Sequence, residues 1–276
     1  MISHINDCTI LNNKLNMPWL GFGVFQTKEG QEVENAVQWA LELGYRSIDT
    51  AMIYGNERGV GKAIRQSGVP RAEIFLTTKV WNDDQRANRT LAAFQESLQR
   101  LETDYVDLYL IHWPVKGRYQ DTWKAMAEIY QSGKAKAIGV SNFLVHHLED
   151  ILQASSLVPA VNQIEFHPCL VQPELLKFCQ AHQIQVEAWS PLMQGAILTV
   201  PQVQQLAAKY HKTPAQIVLR WDVQHAVVTI PKSVHRPRIA ENAQIFDFEL
   251  AAEDLALLDA LDVGRRIGPD PDNFNF

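Results

Sequence analysis

The chain has 276 residues, of which 46% are hydrophobic, and it carries a formal net charge of −6. This composition allows a large buried core and argues against disorder, while the acidic balance argues against nucleic acid or an anionic membrane as the main partner. No stretch approaches the roughly 18 consecutive apolar residues that a membrane-spanning helix needs. Three scattered cysteines fit neither a disulfide framework nor a zinc site, so we expect a cytoplasmic protein without a metal.

The predicted elements begin with a hairpin over residues 8–18, turning at Asn12-Asn13, which we expect to cap the floor of the fold. Short apolar strands and amphipathic helices then alternate, starting with a strand over 19–24. In the helix predicted over 88–101, Leu91 shares an apolar face with Phe94, Leu98 and Leu101. The predicted helices are 32–43, 56–66, 88–101, 122–131, 144–153, 173–181, 201–210 and 214–225.

Eight predicted strands alternate with these helices, and such alternation indicates a parallel sheet. Eight units in about 250 residues favour a closed (β/α)₈ TIM barrel, with an open doubly wound sheet as the alternative. No linker-like stretch divides the chain, so we expect a single domain over residues 1–276. The short C-terminal tail, 268–276, has no periodicity. It is either a frayed end or a flap whose phenylalanines pack near the mouth of the site.

Polar residues stand where successive strands end. Asp49, Lys79 and His112 follow the second, third and fourth strands, and Tyr54 lies in the loop after Asp49. Parallel strands bring such residues together at one end of a barrel. A tyrosine with an ordinary pKa of about 10 is a weak acid, and we expect Lys79 to lower that pKa while Asp49 keeps Lys79 charged. The set indicates a pocket that donates a proton to a carbonyl, with hydride supplied by a cofactor.

Each of these residues also has a structural explanation when taken alone. Asp49 can belong to a turn, Tyr54 to a surface loop, Lys79 to the rim of the barrel, and His112 to the core. Four ionisable residues at three consecutive strand ends favour the functional interpretation. The adjacent pair His146-His147, by contrast, opens a predicted helix, and we expect it to be solvated.

A second polar group follows the last strand. Lys232 and Ser233 come directly after it, and Arg238, Glu241 and Asn242 share a face of the next helix. The N-terminus of a helix at this position of a barrel attracts anions, and two cations there suit a phosphate. The alternative is a pair of surface cations that neutralise Glu241.

Three motifs make this chain resemble the aldo-keto reductases over nearly its full length, in particular the bacterial 2,5-diketo-gluconate and glyoxal or methylglyoxal reductases. They span 44–57, 108–114 and 230–242. The resemblance implies a monomeric enzyme that uses NADPH to reduce small aldehydes and ketones, such as methylglyoxal, keto sugars or diketo acids. The short tail suggests a shallow, permissive pocket.

The resemblance also implies a role for each site residue. Tyr54 would be the general acid, tuned by Lys79 and Asp49, and His112 would orient the substrate. An aromatic substrate wall would comprise Phe25, Trp81 and Trp113. The nicotinamide would contact Ser141, Asn142, Gln163 and the stacking ring of Trp189. The pyrophosphate would pass Ser190 and Leu192. The adenosine 2′-phosphate end would meet Lys232, Ser233, Arg238, Glu241 and Asn242.

Two other functional classes stay open on sequence grounds. Lys79 could form a Schiff base, as in an aldolase or lyase, although Asp49 beside it opposes the neutral amine that this requires. The chain could instead be a regulatory module that binds NADPH tightly and turns over slowly, like the potassium-channel β-subunits that share the barrel fold.

Overall fold

The computed structural model describes residues 2–276, and it opens on the predicted hairpin. Strands β1 (Cys8–Ile10) and β2 (Asn16–Pro18) pair antiparallel. The turn between them reaches the base of the main sheet, because Asn12 donates to the carbonyl of Pro159 at 3.0 Å and Asn13 donates to that of Lys136 at 2.8 Å. The prediction of a cap on the barrel floor is confirmed.

In the described residues, eight further strands form one parallel sheet in sequence order. The sheet closes on itself through the first and last of them, since Leu20 bridges to Thr229 and the N–H of Gly21 donates to the carbonyl of Thr229 at 2.9 Å. The predicted (β/α)₈ barrel is confirmed, and the alternative of an open doubly wound sheet is wrong. The strands are β3 (Phe22–Gly23), β4 (Ser47–Asp49), β5 (Phe75–Val80), β6 (Val106–Ile111), β7 (Ala135–Ser141), β8 (Val161–Glu165), β9 (Gln185–Trp189) and β10 (Val228–Thr229).

The eight predicted helices are present, with ends within three residues of the predicted ones. Proline stands at the first position of three of them, where its missing N–H costs nothing. No helix in residues 2–276 is long and apolar enough to cross a membrane. The helices are α1 (Gln31–Glu42), α2 (Glu57–Gln66), α3 (Asn82–Arg86), α4 (Thr90–Leu101), α5 (Tyr119–Gln131), α6 (Val145–Ala154), α7 (Pro173–Ala181), α8 (Pro201–Tyr210), α9 (Pro214–Gln224), α10 (Arg236–Ala243) and α11 (Ala252–Asp259).

Two sequence predictions about local structure were wrong. The first barrel strand was predicted over 19–24, yet β3 has only two residues, and the segment before it contributes only the bridge of Leu20 to Thr229 at the seam where the barrel closes. Leu91 was predicted to face the core, but its side chain is 45% exposed. The buried face of α4 centres on Phe94 and Leu101, and Leu91 lies at its edge in the first helical turn.

Candidate active site

Asp49, Tyr54, Lys79 and His112 come together at the C-terminal end of the barrel. Asp49 ends β4, Lys79 lies near the end of β5, His112 follows β6, and Tyr54 ends a single 3₁₀ turn after β4. The Nζ atom of Lys79 is 2.6 Å from Oδ1 of Asp49, 2.9 Å from the carbonyl oxygen of Thr50 and 3.5 Å from the hydroxyl of Tyr54. Lys79 is completely buried, so it is not a rim charge.

The loop that carries Tyr54 is fixed by the buried side chain of Asn56. Its amide nitrogen donates to the carbonyls of Val24 at 2.9 Å and Thr27 at 3.0 Å. Its Oδ1 accepts from the hydroxyl of Thr50 at 2.8 Å. Asn56 thus joins the end of β4 to the loop after β3 and sets where the Tyr54 turn begins. Sequence reasoning placed Asn56 in a motif but gave it no role.

Burial and charge set the protonation states of Lys79 and Tyr54. Burial alone would lower the pKa of Lys79, but the charge and hydrogen bond of Asp49, together with Tyr54 and Glu187, outweigh it and raise that pKa above its ordinary value. Burial raises the pKa of Tyr54 to about 12, while Lys79 acts in the opposite direction. The effect of Lys79 on the pKa of Tyr54 has the predicted direction, but burial is the larger effect and the net pKa is raised. A charged Lys79 and a protonated Tyr54 suit proton donation, not Schiff-base formation.

His112 is a buried, neutral imidazole beside the tyrosine. Burial, reinforced by the charge of Lys79, holds the pKa of His112 well below its ordinary value. Its ring centre lies 5.6 Å from that of Tyr54 and 5.1 Å from that of Trp81, edge to face in both cases. The ring of Phe25 packs 5.0 Å from Tyr54 on the open side and is 53% exposed. The wall of the pocket beside Tyr54 is therefore aromatic.

The tail forms the outer part of this aromatic wall. The ring of Phe274 lies 5.2 Å from Trp113, and that of Phe276 lies 5.3 Å from Trp113. Phe276 also stacks on Trp81 at 5.6 Å with the two ring planes 9° apart. Of the two interpretations of the tail, the flap is confirmed and the frayed end is not. Trp81 and Trp113 were predicted for the wall, whereas the two phenylalanines of the tail were predicted near the site only as one of two alternatives.

The tail is also anchored near the start of α6. Nε2 of His146 lies 3.0 Å from Oδ1 of Asp272, and Nε2 of His147 lies 3.4 Å from the same oxygen. Nδ1 of His147 accepts from the N–H of Leu144 at 3.2 Å. A neutral His147 therefore carries its proton on Nε2 and offers Asp272 a hydrogen bond, with no lone pair there for a metal. His147 is buried, so its predicted solvation was wrong.

The predicted nicotinamide residues form one connected group on the strands after His112. The hydroxyl of Ser141 donates to the backbone carbonyl of Gln163 at 2.8 Å. Nδ2 of Asn142 donates to Oγ of Ser141 at 3.1 Å and to the backbone carbonyl of His112 at 2.9 Å. Asn142 has a left-handed backbone, with φ of 65°, and its Oδ1 accepts from the indole N–H of Trp189 at 2.8 Å. The ring of Trp189 is thus held beside the catalytic group.

Trp189 is supported from behind by the first residues of the tail. A Cβ at Gly268 would lie 2.3 Å from a ring carbon of Trp189, so only glycine fits against the indole. The N–H of Gly268 donates to the buried carboxylate of Glu165 at 3.1 Å, which fixes the tail at this point. Ser190, with φ of 54°, and Leu192 lie in the turn that leaves β9 directly after Trp189.

The cations predicted for the phosphate end stand just before α10 and on it. Lys232 and Arg238 are exposed, and within residues 2–276 neither has an acidic partner within salt-bridge distance. Glu241 accepts instead from the hydroxyl of Thr213 at 2.9 Å. The alternative that the cations neutralise Glu241 is therefore wrong. The neighbouring buried members of the set are Ser233 and Asn242.

Comparison with known proteins shows which family the chain resembles over most of its length. A family model described as the Aldo/keto reductase family matches residues 19–263. The chain belongs to the aldo/keto reductase family. It is 55% identical over 276 residues to the Glyoxal reductase of Bacillus subtilis (strain 168), covering 100% of both chains. It is 49% identical over 262 residues to Methylglyoxal reductase DkgA of Escherichia coli (strain K12), covering 94% of each.

Solved structures of this family have the same fold. A mutant of Gox0644, crystallised in complex with NADPH, superposes with a TM-score of 0.93 at 44% identity, covering 98% of each chain. The predicted family and its glyoxal and methylglyoxal reductase branch are confirmed, and the chain is an oxidoreductase of the aldo/keto reductase family.

Proposed function

We propose that this chain reduces small aldehydes and ketones to alcohols with NADPH, and that Tyr54 gives the proton. The observation that carries the proposal is the contact of Lys79 Nζ with both Asp49 and the hydroxyl of Tyr54 in a buried, aromatic pocket. The glyoxal and methylglyoxal reductase relatives support methylglyoxal and similar small carbonyls as substrates.

The residues of this chain fit the proposed cofactor. Lys232 and Arg238 provide positive charge before and on α10, as the 2′-phosphate of NADPH requires. The ring of Trp189 offers a stacking face beside Asn142 and Gln163, whose amides suit a carboxamide. The Gox0644 neighbour with NADPH supports the same assignment. NADPH, when bound, supplies the hydride.

The chain's own residues would control the proton and the substrate oxygen. The carbonyl oxygen would meet the hydroxyl of Tyr54 and the neutral imidazole of His112, which is a hydrogen-bond donor without a competing charge. As negative charge develops on that oxygen, Tyr54 would transfer its proton, and the fixed charge of Lys79 would stabilise the phenolate left behind. Asp49 would keep Lys79 charged and oriented.

The Tyr54→Phe variant tests this assignment. It should lower kcat with methylglyoxal by at least about 100-fold, because a general acid contributes about 10²–10⁴-fold to the rate. The Kd for NADPH should stay within about threefold, since the hydroxyl acts on the substrate oxygen. NADPH oxidation gives the rate, and quenching of protein fluorescence gives the Kd.

Tyr130→Phe is the matched control, because Tyr130 is a half-buried tyrosine on α5, away from the pocket. It should keep full activity. A Tyr54→Phe enzyme with near wild-type kcat would remove Tyr54 from the acid role. Tight NADPH binding by the wild type without turnover of any small carbonyl would favour the regulatory module instead.

We also propose that residues 1–276 form one domain and act as a cytoplasmic monomer. The three cysteines form no disulfide within the described residues, which suits a reducing compartment. Light scattering coupled to size exclusion tests the monomer, and a mass of twice 31.3 kDa would contradict it.

A further inference from the structure

Glu187 is a buried acid of the barrel interior that the proposed mechanism does not use. It lies on β9 and has no exposed surface. Its Oε2 accepts from Nε2 of Gln163 at 2.7 Å, while its Oε1 has no hydrogen-bond partner anywhere in the described chain. Burying a carboxyl group with an unpaired oxygen costs desolvation free energy. The presence of Glu187 in the barrel interior therefore suggests a role for it.

Gln163 joins Glu187 to the catalytic group. The same Nε2 atom lies 2.8 Å from Oδ2 of Asp49, whose Oδ1 binds Lys79. Two carboxyl oxygens flank this atom, and only an NH₂ group can donate to both, so the chemistry fixes which end of the amide points inward. Both N–H groups of Gln163 are used, one by each acid.

The side-chain oxygen of Gln163, Oε1, is consequently turned away from the two acids. No residue of the described chain donates a hydrogen bond to it, although Gln163 is only 2% exposed. This side-chain oxygen is therefore an oriented acceptor without a protein partner, on a residue whose backbone carbonyl accepts from the hydroxyl of Ser141. Such an acceptor fits a ligand that brings its own N–H.

Charge explains why the second acid is tolerated. Burial, followed by the nearby Asp49, raises the pKa of Glu187, so that it favours the neutral form. A neutral carboxyl group still accepts from Gln163 through its C=O oxygen. The neutral group adds no second negative charge beside Asp49. The ionised carboxylate of Asp49 therefore pairs with Lys79 without repulsion from Glu187.

We propose that Glu187 is a positioning residue: together with Asp49 it clamps the side-chain amide of Gln163, so that the side-chain oxygen Oε1 of Gln163 accepts the N–H of the nicotinamide carboxamide. This inference rests on the proposed NADPH-dependent function. It extends the cofactor site to a residue that does not itself contact the cofactor.

The test is a binding measurement on folded protein with two ligands. NADPH carries the carboxamide, whereas adenosine 2′,5′-bisphosphate carries only the phosphate end. Glu187→Leu should weaken NADPH by about tenfold, because one of the two bonds that hold Gln163 is lost. The bisphosphate should bind within about threefold of wild type. Glu187→Gln, whose amide oxygen accepts the same hydrogen bond, should restore NADPH affinity to within about threefold.

Asp222→Leu is the matched control, because Asp222 is a buried acid with one unpaired oxygen whose other oxygen accepts from Thr229 at 2.7 Å. It should bind both ligands as wild type does. If Glu187→Leu does not fold, Glu187→Thr replaces it, since its short side chain leaves Gln163 without that acceptor.

Two results would overturn the inference. One is an unchanged NADPH affinity in Glu187→Leu, and the other is an equal loss for NADPH and the bisphosphate, which indicates general damage. Wild-type protein that binds neither ligand would instead contradict the proposed function, so the two failures are distinguishable.

Discussion

The buried charge of Lys79 influences the protonation state of its neighbour Tyr54. It has no exposed surface, yet it stays charged because Asp49 lies 2.6 Å away. The sequence indicated this pair because both residues end neighbouring strands. The net direction of the Tyr54 pKa was not predictable, because it depends on how much water the tail and the aromatic wall exclude, and spacing along the chain does not contain that quantity.

Arg238 should select NADPH over NADH. Arg238→Ala should weaken NADPH by roughly 10- to 100-fold, since a hydrogen bond to a charged group contributes about 1.5–3 kcal/mol. NADH lacks the 2′-phosphate, so its affinity should change little. Fluorescence titration of both cofactors against wild type and variant measures the difference.

Arg236→Ala is the control for that substitution. Arg236 is exposed on the same helix but pairs with Glu42 at 3.4 Å. Its removal should leave the ratio of the two affinities unchanged. An equal loss of NADPH and NADH in Arg238→Ala would take Arg238 out of the phosphate site.

Among the helices, α2 links the catalytic loop to the outer layer of the barrel. Its first residue, Glu57, accepts from the hydroxyl of Thr78 at 2.6 Å and binds Arg100 of α4. Farther along, Gly61 lets the backbone of α2 pack directly on the end of α4. A Cβ at Gly61 would lie 2.1 Å from the carbonyl oxygen of Leu101. Close contact between these helices thus depends on a missing side chain.

Gly61→Ala should therefore destabilise the protein by about 1–3 kcal/mol, the usual cost of overpacking. At a solvent-exposed helical position, replacing glycine by alanine would stabilise a protein by up to about 1 kcal/mol. The sign of the change in the free energy of unfolding therefore distinguishes the two cases. Urea unfolding of wild type and variant measures this change in the free energy of unfolding. Arg58→Ala, at an exposed position of α2, should stay within about 0.5 kcal/mol, and a stabilised Gly61→Ala would contradict this account of the packing.

Element boundaries were predictable where the chain carries a local signal. Pro173, Pro201 and Pro214 each mark the first residue of a helix, and all three starts were predicted correctly. Helix α3 was missed because its sequence, Asn82–Arg86, is polar throughout and has no apolar stripe. The course of the tail was left open because its contacts are with distant aromatic residues, which no local periodicity records.

The free energy of unfolding of the whole molecule should depend on pH through His147. Burial, with the charge of His146, lowers the pKa of His147 to about 4, whereas an unfolded histidine titrates near 6.5. Below about pH 6.5 the unfolded chain takes up a proton that the folded chain does not. Stability is therefore full above that pH and declines as pH falls towards about 4.

His147→Gln should make this decline shallower, which urea unfolding at several values between pH 7 and pH 4.5 would reveal. His182→Gln, at an exposed position after α7, should leave the slope as in wild type. Identical slopes for His147→Gln and wild type would mean that other groups cause the pH dependence.

The tail has a consequence for how enzymes on this barrel diversify. The proposed proton donation depends on residues at strand ends, around the buried pair of Lys79 and Asp49. The outer wall of the pocket depends on Phe274 and Phe276, which arrive from beyond the last helix. The residues proposed for catalysis and those of the outer pocket wall thus lie in separate stretches of the sequence. Substitutions at Phe274 or Phe276 should therefore change the outer wall of the pocket while leaving the proposed acid intact, so that specificity and catalysis are open to separate change.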